Sequence, residues 1–121
     1  MLKIIVADDH DVVRQSVVQL LVEEFSPVQV EEATDAAALI ALEESGEWDL
    51  IISDLAMPGG GGLEALKIIR KRASEIPFIV ISTYPAEQYE SRVLKAGAQA
   101  FICKDELPHA LIVAVKKFVI N

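Results

Sequence analysis

Five short apolar runs alternate with five stretches of helical periodicity, and this alternation restricts the fold more than any other feature of the chain. The runs cover residues 3–7, 28–32, 49–53, 77–82 and 99–103. Four of them are almost continuous in Ile, Val, Leu, Phe and Ala, as expected of strands covered on both faces. The run at 28–32, Val-Gln-Val-Glu-Glu, alternates instead and suits a sheet edge. Between the runs, apolar residues recur at three- and four-residue steps. Val12, Val13, Val17, Leu20 and Leu21 mark the stripe of the first such stretch. The pattern predicts helices over 11–24, 35–45, 63–73, 86–96 and 108–119. Asp11 and Thr34 read as the first two N-caps, with Gly46 and Gly97 as stops and Pro108 as a first-turn residue. Strict strand–helix alternation implies a parallel sheet with right-handed crossovers, an α/β doubly wound architecture of five units.

The chain has 121 residues, enough for one domain with a core and too few for two. No apolar stretch approaches the ~18 residues of a membrane span, and the N-terminus lacks a signal-peptide pattern. The single cysteine, Cys103, leaves no intrachain disulfide, reads as a small buried hydrophobe and fits a cytoplasmic location. The net charge is −8, from 19 acidic and 11 basic residues. That balance argues against direct nucleic-acid binding by this domain, which needs a basic face. It fits a solvated acidic surface, acids crowded around a cation, or both.

The chemistry-bearing residues fall at strand ends. Asp8 and Asp9 close the first run, and Asp54 closes the third. Ser82 closes the fourth with Thr83 just after it, and Lys104 follows the fifth. In an open parallel sheet the C-terminal strand edge is where ligands bind. In the flavodoxin-like strand order 2-1-3-4-5, strands 1 and 3 are neighbours, and Asp8, Asp9 and Asp54 meet. The alternation alone leaves that order open. Three carboxylates at one point cannot all ionise cheaply without a cation, which suggests a divalent metal and a carboxylate nucleophile. Taken singly, each of these residues reads as a cap, a turn residue or a solvated charge. Their joint occurrence in this order is what carries the chemistry.

This ordered set resembles the receiver domain of two-component response regulators. The matching pieces are the acid pair ending Ile4–Asp9, Asp54-Leu55-Ala56-Met57-Pro58, Ser82 closing the fourth run, and Gly97-Ala98 leading through Phe101 to Lys104. Ala7-Asp8-Asp9-His10-Asp11 and Lys104-Asp105 look most like regulators of the NarL/LuxR type, which carry a C-terminal helix-turn-helix domain. The resemblance spans essentially the whole chain. It implies a flavodoxin-like (βα)5 sheet in the order 2-1-3-4-5, and residues 1–121 as one receiver domain cut from a longer regulator. It implies Asp54 as phosphoacceptor for a histidine kinase. Asp9, Asp54 and the Ala56 backbone carbonyl would be Mg2+ ligands, with Asp8 acting through a bound water. Ser82 and Lys104 would contact phosphoryl oxygens. Ser82 and Phe101 would be the switch residues of a face formed by helix 4, strand 5 and helix 5. The output would be transcriptional, and the domain would catalyse only its own phosphorylation and slow dephosphorylation. Pairing of two copies through helices 1 and 5, or through the helix 4–helix 5 face, is a further expectation.

Some details depart from that family's usual pattern. Gly61-Gly62 stands where Asp-Gly is frequent, and the glycine run 59–62 predicts a mobile loop. Ala56 offers no polar group to position water and Tyr84 is bulky, which predicts slow self-dephosphorylation. Asp105 after Lys104 predicts a trans bond there. His10 reads as an exposed loop residue, His109 as a surface residue, and Trp48 as packing at the start of strand 3. The same residues admit two alternatives. A haloacid-dehalogenase-type phosphohydrolase would use Asp9 as nucleophile within Asp9-His10-Asp11-Val12-Val13, with Ser82 and Lys104 as later motifs, but a final acidic pair is lacking. A non-phosphorylated pseudo-receiver fits poorly with the complete acid, serine and lysine set.

Overall fold

Successive residues of the central strands face opposite sides of the sheet, and both sides are covered. The computed structural model describes residues 1–120. Its elements are β1 (Leu2–Ala7), α1 (Asp11–Phe25), β2 (Val28–Ala33), α2 (Ala36–Glu44), β3 (Leu50–Asp54), α3 (Gly61–Lys71), β4 (Phe78–Ser82), α4 (Ala86–Lys95), β5 (Ala100–Cys103) and α5 (His109–Val115). A 3-10 turn, Lys104–Glu106, follows β5, and a π-helical turn, Lys116–Ile120, extends α5. All strands pair in parallel in the order β2-β1-β3-β4-β5, as expected from the flavodoxin-like pattern.

Ile4, Val6, Leu50, Ile52, Ile79 and Ile81 pack with Val17 and Leu21 of α1 and Leu111 and Val115 of α5. The intervening Ile5, Ile51, Phe78 and Val80 pack on the opposite side with Leu39 of α2, Leu66 and Ile69 of α3, and Val93 of α4. Each large side chain buried this way contributes roughly 1.5–3 kcal/mol. The near-continuous apolar runs follow from this double burial. The polar run forms β2, an edge strand with alternating exposure.

Helix starts differ from the sequence expectations. His10 is the N-cap of α1, and Asp11 is already helical, its carboxylate held 2.8 Å from Arg14 Nη2. Asp35 rather than Thr34 caps α2, because its extended backbone lets Oδ1 accept from the Ala38 N–H at 2.7 Å. Helix α3 begins two residues earlier than expected, at Gly61. A Cβ on Gly61 would lie 2.2 Å from the Leu55 carbonyl oxygen, and one on Gly62 would lie 2.4 Å from that of Asp54. The Gly62 N–H donates to Leu55 O at 3.0 Å. These two glycines therefore let a helix start press against the backbone that carries Asp54. Only Gly59 and Gly60 remain in the connecting turn, so the expected mobile loop is shorter than the glycine run.

Three other expectations are met. His109 is exposed at the start of α5. Trp48 packs before β3, with its Nε1–H donating to Leu42 O at 2.8 Å. Among the described residues the cis bonds are Ser26–Pro27 and Leu107–Pro108, so the bond after Lys104 is trans. Cys103 is half-buried rather than buried. Asn121 lies outside the described residues.

Candidate functional site

Strand pairing assembles the site at one sheet edge. Ala7 of β1 lies opposite Ser53 of β3, so the next residues, Asp8 and Asp54, leave the sheet side by side. The flanking strands β2 and β4 pin the backbone at these positions: the Asp8 N–H donates to Ala33 O at 3.0 Å, and the N–H of Leu55, next to Asp54, to Ile81 O at 2.9 Å. Asp8 is fully buried and Asp54 nearly so, whereas Asp9 faces solvent.

Lys104 reaches back from the turn after β5 between the two buried acids. Its Nζ lies 3.1 Å from Asp8 Oδ2 and 3.3 Å from Asp54 Oδ2. Burial, and then the charge of Asp8, push the Asp54 carboxyl above the usual carboxylate range. Lys104 and the Ala56 N–H pull it back. Asp8 Oδ2 is buried and has no aligned hydrogen bond, despite the nearby ammonium. Asp8, Asp9, His10 and Asp54 each bring a ligand atom, and these atoms all lie within 4.8 Å of one another. An oxygen-rich donor set in which two buried carboxylates share a single ammonium fits a hard divalent cation.

Two contributors were not legible in the sequence. His10 is exposed, as expected, but its Nδ1 sits 2.9 Å from Asp8 Oδ1, 3.4 Å from Asp9 Oδ1, 3.5 Å from Asp54 Oδ2 and 3.4 Å from Lys104 Nζ. Arg14, one turn into α1, donates from Nη1 to the Asp8 carbonyl at 2.9 Å and from Nε to Glu32 at 2.8 Å. It ties the β1–α1 junction to the edge strand and so steadies the acid pair. An arginine four residues after a motif histidine carries no recognisable signal without knowledge of which strand lies alongside.

The remaining expected residues are distributed around this cluster. Ser82 is fully buried at the end of β4, and its Oγ accepts from the Tyr84 N–H at 2.8 Å. Thr83, exposed, lines a cleft of about 440 Å3 with Asp9, His10, Asp54 and Ala56. Tyr84 stands at that cleft and packs against Tyr89, ring centroids 5.3 Å apart. Phe101 lies beside Val80 in β5 and is only 9% exposed, as a core residue of that strand.

The buried carboxylates and the lysine thus stand at the C-terminal strand edge of a doubly wound sheet, where such folds bind ligands. Residues 4–116 match the response regulator receiver domain, and the chain belongs to that family. It is 32% identical over 115 residues to the transcriptional regulatory protein DegU of Brevibacillus brevis, an alignment covering 95% of this chain and 49% of DegU. Response regulator GacA of Pseudomonas aeruginosa is 26% identical, with 97% of this chain and 55% of GacA covered. The chain thus spans about half the length of the curated relatives it matches. Among solved structures, TrrA from Thermotoga maritima in complex with Mg2+-BeF superposes with a TM-score of 0.87 at 28% identity, covering 98% of this chain and 100% of that one. The family match carries the receiver reading and lends no support to the phosphohydrolase alternative. Among the described residues, no helix is long and apolar enough to cross a membrane.

Proposed function

We propose that Asp54 is the phosphoacceptor of this receiver domain and that a histidine kinase is its donor. The carrying observation is the position of Asp54: nearly buried, beside Asp8, with Lys104 Nζ at 3.3 Å. A carboxylate oxygen of Asp54 forms the new bond to phosphorus as the bond from phosphorus to the donor imidazole nitrogen breaks, and the imidazole leaves. Asp9, Asp54 and the Ala56 carbonyl would hold Mg2+ directly, and Asp8 through water. When bound, Mg2+ offsets the crowded negative charge and supplies positive charge to the phosphoryl oxygens. Lys104 supplies a fixed positive charge to one phosphoryl oxygen, and the Ser82 hydroxyl donates to another.

The same contacts support a switch. The Ser82 hydroxyl accepts from the Tyr84 N–H and keeps its own proton free for a phosphoryl oxygen, so a phosphate at Asp54 would pull on the start of the β4–α4 connection through that bond. Phe101 already lies inward, so it would respond by repacking beside Val80 rather than by entering from solvent. The α4–β5–α5 face is then the element biased by phosphate. In the whole protein we place this domain in the cytoplasm, upstream of a transcriptional output domain. The half-length match to transcriptional regulators supports that placement.

Two results test the reading. Beryllofluoride with Mg2+ is expected to bind at Asp54; a crystal structure with beryllium on Asp9 would overturn the assignment. The phosphorylated domain is also expected to lose phosphate slowly, because Ala56 presents only a methyl group and Tyr84 crowds the cleft. Ala56→Asn should accelerate that loss several-fold by offering water a hydrogen bond. Equal decay rates in the two proteins would remove the explanation.

A further inference from the structure

We propose that Arg14 is a positioning residue for the phosphoacceptor site: its guanidinium fixes the Asp8–Asp9 peptide unit and so aims the Asp9 carboxylate. The inference rests on the reading of Asp9 as a Mg2+ ligand given above and goes beyond it. Three consecutive peptide units lead from the end of β1 into α1, and a hydrogen bond holds each. The Asp8 N–H donates to Ala33 O at 3.0 Å, which fixes the Ala7–Asp8 unit. The His10 N–H donates to Asp8 Oδ1 at 2.9 Å, which fixes the Asp9–His10 unit. Between them, the Asp8 carbonyl accepts from Arg14 Nη1 at 2.9 Å, and this bond fixes the unit that leads into Asp9.

The direction of Asp9 depends on that middle unit. The Asp9 side chain is 36% exposed, so packing does little to hold it, and the carboxylate points where its backbone sends it. Arg14, by contrast, is held on every side. Its side chain is only 11% exposed, and each guanidinium nitrogen has an acceptor: Nε donates to Glu32 and Nη2 to Asp11, both at 2.8 Å, while Nη1 serves Asp8. The planar guanidinium keeps the three bonds in one rigid frame. Asp11 belongs to α1 and Glu32 to β2, so the frame ties the Asp8–Asp9 unit to both elements at once. The two carboxylates also offset the guanidinium charge. Arg14 therefore stands behind a cation site as a geometric brace rather than as a competing cation.

The test uses the whole chain and Mg2+, in wild type, Arg14→Gln, Arg14→Lys and Glu32→Ala. Calorimetry, at a temperature where each protein is folded, is expected to give Mg2+ affinity about tenfold weaker in Arg14→Gln, the scale of losing a group that orients a metal ligand. Arg14→Lys should lose nearly as much, because an ammonium keeps the charge and lacks the fork. Glu32→Ala, which leaves α1 untouched and releases one arm of the frame, should lose less. A second readout needs no metal. The Asp9 N–H belongs to the braced unit, and its 15N order parameter should fall from about 0.85 toward 0.6 in the Arg14 variants. Lower melting temperatures with unchanged Mg2+ affinity and an unchanged Asp9 order parameter overturn the positioning role and leave the phosphoacceptor assignment standing. Full rescue by lysine overturns it in favour of a charge effect. Should the Arg14 variants not fold, Glu32→Ala decides alone, and wild-type values of both readouts overturn the role. A wild-type protein that binds no Mg2+ overturns the cation reading, and this inference with it.

Discussion

Asp54→Asn is expected to abolish phosphate uptake from acetyl phosphate and Mg2+, read as the loss of any mass increase in the intact protein. The substitution keeps the shape of the side chain but removes the anionic oxygen that must bond to phosphorus. Asp8 cannot substitute, because it is fully buried and engaged by His10 and Lys104. Asp9 faces solvent, outside the reach observed for the Lys104 ammonium at Asp54. The same variant carries a stability signature. Burial and Asp8 raise the folded-state pKa of Asp54 above its ordinary value of 3.8, so the folded protein holds this proton more tightly than the unfolded chain. Stability from this group is therefore highest in acid and declines as pH rises from the ordinary carboxylate range through the raised folded value. Asparagine has no such decline. The metal-free variant should melt above wild type at neutral pH, and the gap should close as pH is lowered toward 4. Retained phosphate uptake would refute the nucleophile, and a variant less stable at neutral pH would refute the charge argument.

Lys104→Met should lower metal-free stability by about 3 kcal/mol, because removing one partner of a buried ion pair leaves the others uncompensated. Two carboxylates lose their cation together, at 3.1 and 3.3 Å. In a domain of this size the melting temperature should fall by roughly 10 °C. Saturating Mg2+ should recover much of that loss by replacing the missing positive charge. Thermal melts of both proteins in chelator and in Mg2+ measure the difference. Equal melting in chelator would show that Lys104 contributes no net stability. Phosphate uptake should slow without vanishing, since Lys104 supplies charge rather than the bond-forming atom.

Much of this site was readable one strand at a time. Asp54, Ser82 and Lys104 each follow an apolar run, and a run's end marks a strand's end whatever its neighbours are. The doubly buried strands were legible for the same reason, because Ile79 and Phe78 face opposite sides and both must be apolar. Helix starts were read less well. Thr34 and Asp35 are both good capping residues, and only the chain path decides which one faces the Ala38 N–H. The glycine run was read as freedom because glycine costs backbone entropy in an open loop. For Gly61 and Gly62 the requirement is space, since Leu55 and Asp54 carbonyl oxygens occupy the positions a Cβ would take.

By itself the sequence determined the layered α/β class, the double burial of the central strands and the identity of the residues at their tips. Those properties follow from periodicity along the chain, a local quantity. The tertiary structure alone decided that His10 lies over three carboxylates, that Arg14 braces Asp8 against the edge strand, and that Lys104 reaches between Asp8 and Asp54. Lys104 and Asp54 are far apart in sequence, and nothing in the spacing of either conveys a separation of 3.3 Å. Coulomb and hydrogen-bond energies depend on distance through space, and only the packed sheet sets that distance.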